Sequence, residues 1–551
     1  MEASPHTPAS SGPADERRAF KWWGWGDARH RAELPPAGIA ALRDELGLGA
    51  GDGSQPIGLE QVELPEPRPV PAAVTSALGP DGVLSAAEDR IRRAAGRSYP
   101  DLIRLRSGRL ENAPDAVLVP EDSRQVAALL RACAEAGVAV VPFGGGSSVV
   151  GGVEALRGDH DAVVSLDLAR LRSIQLDRTS LTARLGPGLR GPEAERALGE
   201  LGATLGHFPQ SYEQATIGGY AATRSAGQAS SGYGRFDELV TAVELTAPVG
   251  AMRTLQVPHT AAGPSLRELV LGSEGTLGVI TEVDCRVRPK PRLRRFEGWM
   301  SSDWAAGMEI IRGLAQEGEM PDVLRLSDEE ETRVSLGMAG TQGWQKRALD
   351  AYLRVRSRRG GCLLICGWEG EREAVRRRRS LAARRMREGG AVALGGSAGR
   401  SWERSRFQGP YLRDELLGLG VLVETLETAH TWSRLAELYQ AVGGALKDAL
   451  GPSSIVMCHL SHAYADGASL YFTFFAAARP GEEIEQWRAA KTAACEAIVA
   501  TEGTITHHHA VGRDHAPYMP AEVGELGIEA LSAVKERLDP AGIMNPGKLL
   551  P

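Results

Sequence analysis

Three consecutive imidazoles, His507, His508 and His509, stand in the segment Ile505-Thr-His-His-His-Ala-Val-Gly512. Imidazole titrates near neutrality, so a triplet suits proton transfer or the binding of an anion. On a strand His507 and His509 would share one face and His508 the other; on a loop all three can converge. Upstream, Ser469-Leu-Tyr-Phe-Thr-Phe-Phe475 reads as a strand with Tyr471, Thr473 and Phe475 on one face. By its sequence alone Tyr471 reads first as a core or edge tyrosine. A phenol with a pKa of ~10 moves protons only if a nearby imidazolium or guanidinium lowers it. Arg325 lies in the apolar strand Val323-Leu-Arg-Leu326, where a guanidinium must face a pocket or an acid. Arg413, beside Asp414 and Glu415, reads by its sequence alone as half of a surface ion pair. The triplet's spacing does not suit a catalytic metal and no metal is expected, although Cys458, His459 and His462 are ligand types that keep one open.

Three further segments are rich in glycine and hydroxyl groups. Pro142-Phe-Gly-Gly-Gly-Ser-Ser148 follows a short apolar strand, and its glycines can bring bare backbone N–H groups up to an anion. It has neither the GK[ST] ending of a Walker loop nor GxGxxG spacing. Phe208 to Ser230, with Gly218, Gly219 and Gly227 among small and hydroxyl residues, cannot build a core but can lie along a large ligand. Leu271-Gly-Ser-Glu-Gly-Thr-Leu-Gly-Val-Ile-Thr281 turns a helix end into a strand.

The elements that must position these residues fall into blocks. Residues 1–20 read as a disordered tail, followed by an aromatic cluster at Lys21-Trp-Trp-Gly-Trp-Gly26 that must find cover, and a helix-and-loop region to residue 113. Residues 114–293 hold a strand at 116–120, a helix at 123–136 with Ser123 as its N-cap, and a strand at 138–142. This β-α-β unit puts the glycine loop at the carboxyl end of a strand, where α/β folds place ligands. From 294 to 505 long helices alternate with strands at 321–327, 361–368, 454–460 and 468–477. Residues 506–551 form a C-terminal segment. The expected fold class is α+β.

The 551 residues, 42 % hydrophobic and 24 % charged, require several domains. A net charge of −7 argues against a nucleic-acid partner, and the arginines from Arg376 to Arg387 read as a solvated helix face. Six scattered cysteines fit a reducing compartment; Cys362 and Cys366 lie in a buried strand, too far apart to bridge. There is neither an apolar run long enough to cross a bilayer nor a signal peptide, so a cytoplasmic location is expected.

Together the three glycine-rich segments resemble the FAD-binding module of the vanillyl-alcohol oxidase and p-cresol methylhydroxylase superfamily. The resemblance implies a two-subdomain FAD module of that type, followed by an α+β cap. It places the FAD pyrophosphate on Pro142, Phe143, Gly144, Gly145, Gly146, Ser147 and Ser148. Gln210, Ser211, Thr216, Gly218, Gly219, Thr223 and Ser225 would run beside the flavin and ribityl chain. Gly272, Glu274, Gly275, Gly278 and Ile280 would reach the adenosine half. Some members attach FAD to a histidine just after the glycine loop; serine stands there in this chain, so non-covalent FAD is implied.

A closer resemblance, from Lys21 onward, is to the alkylglycerone-phosphate synthase family. It is carried by Lys21-Trp-Trp-Gly-Trp-Gly, Gly206-His-Phe-Pro, Leu324-Arg-Leu, Pro410-Tyr-Leu-Arg-Asp414, Glu424-Thr-Leu-Glu-Thr428, Asp466 to Phe472, and the histidine triplet with its Ala-Val-Gly. It implies exchange of the acyl group of acyl-dihydroxyacetone phosphate for a fatty alcohol without net redox change. Tyr471 and His508 would move a proton, Arg325 would hold the flavin side, and Arg413 with His507 or His509 would neutralise phosphate. His207 would lie near the flavin. A lipid-like substrate, contact with a membrane surface and a homodimer go with this resemblance. Phe208, Gln210 and Tyr220 depart from the family pattern, and they keep open a flavin-dependent D-2-hydroxyacid dehydrogenase or oxidase.

Overall fold

A computed structural model describes residues 17–49, 53–338 and 344–551. Three parallel strands, Ala116–Leu118, Ala162–Asp167 and Val138–Phe143, form the first sheet, with Val83–Leu84 antiparallel at its edge. The helix Ser123–Ala136 joins two of them, burying Val126, Leu129, Leu130 and Cys133 at helical spacing. Its N-cap is Asp122, not Ser123: the carboxylate has the extended backbone and accepts from Gln125 N–H at 2.8 Å, so Ser123 is already the first helical residue. The glycine loop leaves Phe143 at the carboxyl end of its strand, as the β-α-β reading requires.

A second, antiparallel sheet runs Ile174–Asp177, Thr182–Leu185, Val279–Arg286, Val240–Ala247, Gly250–Arg253. The third has seven antiparallel strands in the order Val392–Gly395, Leu293–Met300, Leu363–Gly370, Val323–Ser327, Ile455–Ala463, Gly467–Ala477, Val421–Thr431. Helices Trp304–Gln316, Arg372–Glu388, Leu435–Leu450 and Glu483–Ala500 bury their apolar stripes in the largest core, which takes Leu470, Phe472 and Phe474 from the Gly467–Ala477 strand. The alternate residues of that strand, Tyr471, Thr473 and Phe475, face the other way, as strand periodicity requires. The fold is α+β, as expected.

The arginine-rich helix is only partly a solvated face. Arg378 and Arg379 reach the buried carboxylates of Asp322 and Glu297 at 2.9 and 2.6 Å. All six cysteines are free and buried. Residues 1–16 of the expected tail lie outside the described residues, but 17–20 are docked, which corrects that part of the expectation: Arg17 donates to Gly144 O and to Asp167, each at 2.6 Å.

The aromatic cluster finds its cover on the helix Gly409–Gly418. Lys21 and Trp25 are buried, and the Asp414 carboxylate accepts from Lys21 Nζ at 3.1 Å and Trp25 N–H at 2.8 Å. Gly24 and Gly26 are required by this approach. A Cβ on Gly24 would lie 2.4 Å from Asp414 Oδ2, and one on Gly26, whose φ is +68°, would lie 2.0 Å from the Tyr411 hydroxyl. Removing one partner of a buried pair strands the other charge. Asp414→Ala is therefore expected to cost about 3–5 kcal/mol in urea unfolding, with much of the loss recovered in the apolar double variant Lys21→Met/Asp414→Leu.

Candidate active site

Three neighbouring strands build the floor of the site. His459 pairs directly with Tyr471, and Tyr471 pairs directly with Glu427. Directly opposed residues share a face, so His459, Tyr471 and Glu427 form one row across the sheet. Ser327 opposes His459 in the next strand and Arg325 lies two residues away, which brings Arg325 to the same face. His462 joins them through an irregularity. Leu460 opposes Leu470 while Ala463 opposes Ala468, so the strand carries one extra residue and His462 turns to the face of His459.

The histidine triplet is not a strand. It is a loop folded around Glu427, whose side chain is 1 % exposed. That carboxylate accepts from the Thr506 hydroxyl and from the backbone N–H groups of His507, His508 and His509, the last two at 3.0 and 2.7 Å. With the main chain turned in, the imidazoles of His508 and His509 gather over Tyr471, while His507 turns to His462 and Tyr464. The rings of His508 and His509 lie 5.9 and 5.3 Å from it, and His459 stacks on it at 4.7 Å. His507 Nδ1 lies 3.0 Å from His508 Nδ1, and its Nε2 meets the Tyr464 hydroxyl at 2.8 Å. Burial opposes a charge on Glu427, but the imidazole loop and the Thr506 hydroxyl reverse that and hold the carboxyl well below its ordinary range.

Burial also decides the imidazoles. His508 and His507 are held below the usual histidine value, and His509 is pushed down to about 3. Tyr471 is pushed up to about 12 by burial, against smaller opposing pulls from Thr425 and Arg413. The expectation that a cationic neighbour lowers this phenol is thus corrected: the surrounding imidazoles are neutral, and Tyr471 keeps its proton.

Arg325 is held by Glu331 at 2.5 Å, and the same carboxylate oxygen lies 3.1 Å from His459 Nδ1. Burial would raise Glu331, but Arg325 and then His459 outweigh it and keep it ionised. Asp328 fixes this turn by accepting from Glu331 N–H and Cys458 N–H at 2.7 and 2.8 Å. Arg413 is 9 % exposed, so it is not a surface residue, and Asp414 is taken by Lys21 and Trp25. The carboxylate nearest Arg413 is Glu424 at 3.9 Å, and its Nε has no partner.

The glycine-rich segments line up beside this cluster. A Cβ on Gly144 would lie 2.5 Å from Thr216 Oγ1, and one on Gly145 would lie 2.1 Å from Gln214 O, so the loop is pressed onto the second segment. Gly146 has φ +66°. Thr216 caps the helix Ile217–Ala222 through Gly219 N–H, and the Thr223 hydroxyl donates to Gly219 O. Ser225 is engaged with His207 Nε2 at 3.1 Å, and burial lowers His207 to about 3. Gly272 and Gly275 adopt φ of +85° and +75°, and a Cβ on Gly278 would lie 2.6 Å from Thr246 O. Glu274, a non-glycine at φ +51°, uses its carboxylate to accept from Val511 and Gly512 N–H, both at 2.8 Å. Ile280 lies in the strand beside Leu245.

A dinucleotide fits this donor set. Buried polar atoms without protein partners are found here on Gln210 Nε2, both ends of the Gln214 amide, His207 Nδ1 and Ser273 Oγ. Such atoms require a polar ligand or water. Beside Gly145 a small chamber is lined by Arg17, Lys21, Arg92 and Arg97, a positive potential suited to a diphosphate. The residues that sequence reasoning missed are Glu427, Glu331, His459 as a neighbour of Tyr471, and Arg17. Glu427 lay within a recognised motif, and the polar residues on the Tyr471 side of each strand were the available signal.

Comparisons with known proteins agree with this geometry. Residues 114–256 match the family model described as FAD binding domain, and residues 290–549 match that of FAD linked oxidases, C-terminal domain. The chain is 30 % identical to the alkyldihydroxyacetonephosphate synthase of Dictyostelium discoideum over 98 % of its own length and 94 % of that protein's. A solved structure of alkyldihydroxyacetonephosphate synthase superposes with a TM-score of 0.84 at 27 % identity, covering 97 % of this chain and 99 % of that one. A p-cresol methylhydroxylase structure, at 15 % identity, TM-score 0.65 and coverage of 87 % and 95 %, shares the fold. The chain binds FAD.

Replacing Glu427 with glutamine turns an amide N–H₂ toward backbone donors that now receive a carboxylate. Glu427→Gln is expected to lose about 3 kcal/mol in denaturant unfolding and to expose the 505–512 loop to limited proteolysis.

Proposed function

The chain belongs to the alkyldihydroxyacetonephosphate synthase family, and we propose that it exchanges the acyl group of an acyl-dihydroxyacetone phosphate for a long-chain alcohol, releasing the fatty acid. The observation that carries this reading is the buried phenol of Tyr471 with the imidazoles of His459, His508 and His509 packed on it, and a half-satisfied arginine beside it. An exchange of carboxylate for alcohol at one carbon needs a proton given and a proton taken, with no electron leaving the site. Tyr471, its proton retained by burial, is the donor. His508, neutral and stacked over it, is the acceptor.

Arg413 holds the phosphate of the substrate. Its fork is buried and incompletely paired, so an arriving dianion completes it without breaking a strong contact. The dianion also favours the charged form of His507 or His509, which then add to the grip. Arg325 is fixed by Glu331 and keeps a positive charge on the flavin side of the cluster. Pro142 to Ser148, Gln210 to Thr216, Gly218, Gly219, Thr223, Ser225 and Gly272 to Ile280 would hold the FAD. The bound ring supplies a site at which the substrate carbon is held during the exchange without net oxidation.

No helix among the described residues is long and apolar enough to cross a membrane. Fatty substrates partition into bilayers, which supports work at a membrane surface, and the unpaired cysteines support a reducing compartment.

The test is incubation of the purified holoenzyme with acyl-dihydroxyacetone phosphate and a labelled fatty alcohol. Label should appear in an ether. Tyr471→Phe should retain FAD and lower kcat by about 10²-fold or more. Anaerobic D-lactate or glycolate should leave the flavin yellow; bleaching by either would move the chain to the 2-hydroxyacid chemistry.

A further inference from the structure

We propose that His462, His507 and His508 bind one divalent cation of the zinc class, and that the bound ion switches the enzyme off. One ring nitrogen from each residue can be chosen so that all three lie within 4.8 Å of one another. His462 and His507 stack with ring centroids 5.2 Å apart, and His462 meets His508 edge-on at the same distance. His507 and His508 already turn their Nδ1 atoms toward each other, 3.0 Å apart, the kind of spacing that two ligands of a tetrahedral ion adopt.

A second observation points to a ligand independently of this spacing. His462 is only 5 % exposed, and its Nδ1 has no hydrogen-bond partner. A buried imidazole nitrogen left without a partner costs free energy unless something completes it. Its presence here depends on the extra residue between Leu460 and Ala463, without which the side chain would point into the core.

The surroundings suit a cation of moderate affinity. Tyr464 fixes His507 from behind at 2.8 Å, as outer partners of metal-bound histidines do. Glu427 lies 3.5 Å from His508 Nδ1 and carries the compensating negative charge. Arg235 opposes it from the other side, but its own charge is taken by Asp237 at 3.0 Å. A cavity of about 350 Å³ lined by Tyr464, Tyr233 and Ser231 borders the triad at His462, the side from which an ion would enter. The ion would occupy His508 and His507 and leave Tyr471 without its proton acceptor. The inhibition therefore rests on the proposed reaction; the binding does not.

Metal-stripped holoenzyme titrated with Zn²⁺ by calorimetry should take up one equivalent, and turnover should fall in step and return with EDTA. X-ray absorption of the zinc-loaded protein should show three imidazole nitrogens at about 2.0 Å. His462→Gln should bind Zn²⁺ at least about tenfold more weakly, and whatever turnover it retains should not fall when the metal is added. No stoichiometric uptake, fewer than three imidazoles, or unchanged binding in His462→Gln would overturn the site. Should that variant fail to fold, the ligand count in the wild type decides alone. Stoichiometric binding by three imidazoles with full turnover would overturn the switch and, separately, the assignment of His508 to the reaction.

Discussion

The site depends on one buried carboxylate. Glu427 sits in the middle of a sheet, on the row that also holds Tyr471 and His459, where an isolated charge would be heavily penalised. What makes it tolerable is the C-terminal loop, which closes on it with one hydroxyl and three consecutive backbone N–H groups. The dependence runs both ways. A chain segment with three successive N–H groups turned inward has no secondary structure to satisfy them, and here Glu427 is the acceptor that does. The outward direction of the imidazoles is thus a consequence of where the backbone donors must point.

The same loop is tied at its far end by the opposite half of the chain. Glu274, in the last of the glycine-rich segments, accepts from Val511 and Gly512, and it does so from a left-handed backbone that a side chain seldom adopts. Residues 506–512 therefore hang between two carboxylates, Glu274 from the last glycine-rich segment and Glu427 from the seven-stranded sheet. This suspension fixes the distance between the glycine-rich segments and the Tyr471 cluster without any covalent link. It also explains why so many histidines can be buried: each is positioned by main-chain contacts and is under no obligation to carry charge.

Much of this was legible in the residues. The β-α-β unit, the glycine loop at a strand's carboxyl end, and the face of Tyr471 follow from periodicity, which is local. Glu427 and His459 did not follow, because their relation to Tyr471 is set by the register of three antiparallel strands that are distant in sequence, and register is invisible until the strands are paired. His462 was hidden for a further reason: the extra residue before Ala463 inverts the face that simple alternation assigns. Ser123 against Asp122 was a contest between two good caps one residue apart, decided by which has the extended backbone. The reversed expectation for Tyr471 came from supposing charged imidazoles, when burial of the whole cluster keeps them neutral.

Arg413 and Asp414 show how adjacent residues on one helix receive opposite treatment. Asp414 faces the N-terminal segment and is saturated by a lysine ammonium and a backbone N–H, and glycines at 24 and 26 let that segment come close enough. Arg413 faces inward, and the one carboxylate paired with it among the described residues, Glu424, is already accepting from Tyr99 N–H at 2.9 Å and Thr425 N–H at 2.8 Å. A guanidinium with five donors is thereby left near an acceptor that is partly used, in a place water reaches poorly. Burial of such a group is stable only because the helix carrying it is pinned from behind by Asp414. The stabilising contact and the unfinished one are two faces of the same turn, and an anion arriving at Arg413 finds its partner held in place before it binds.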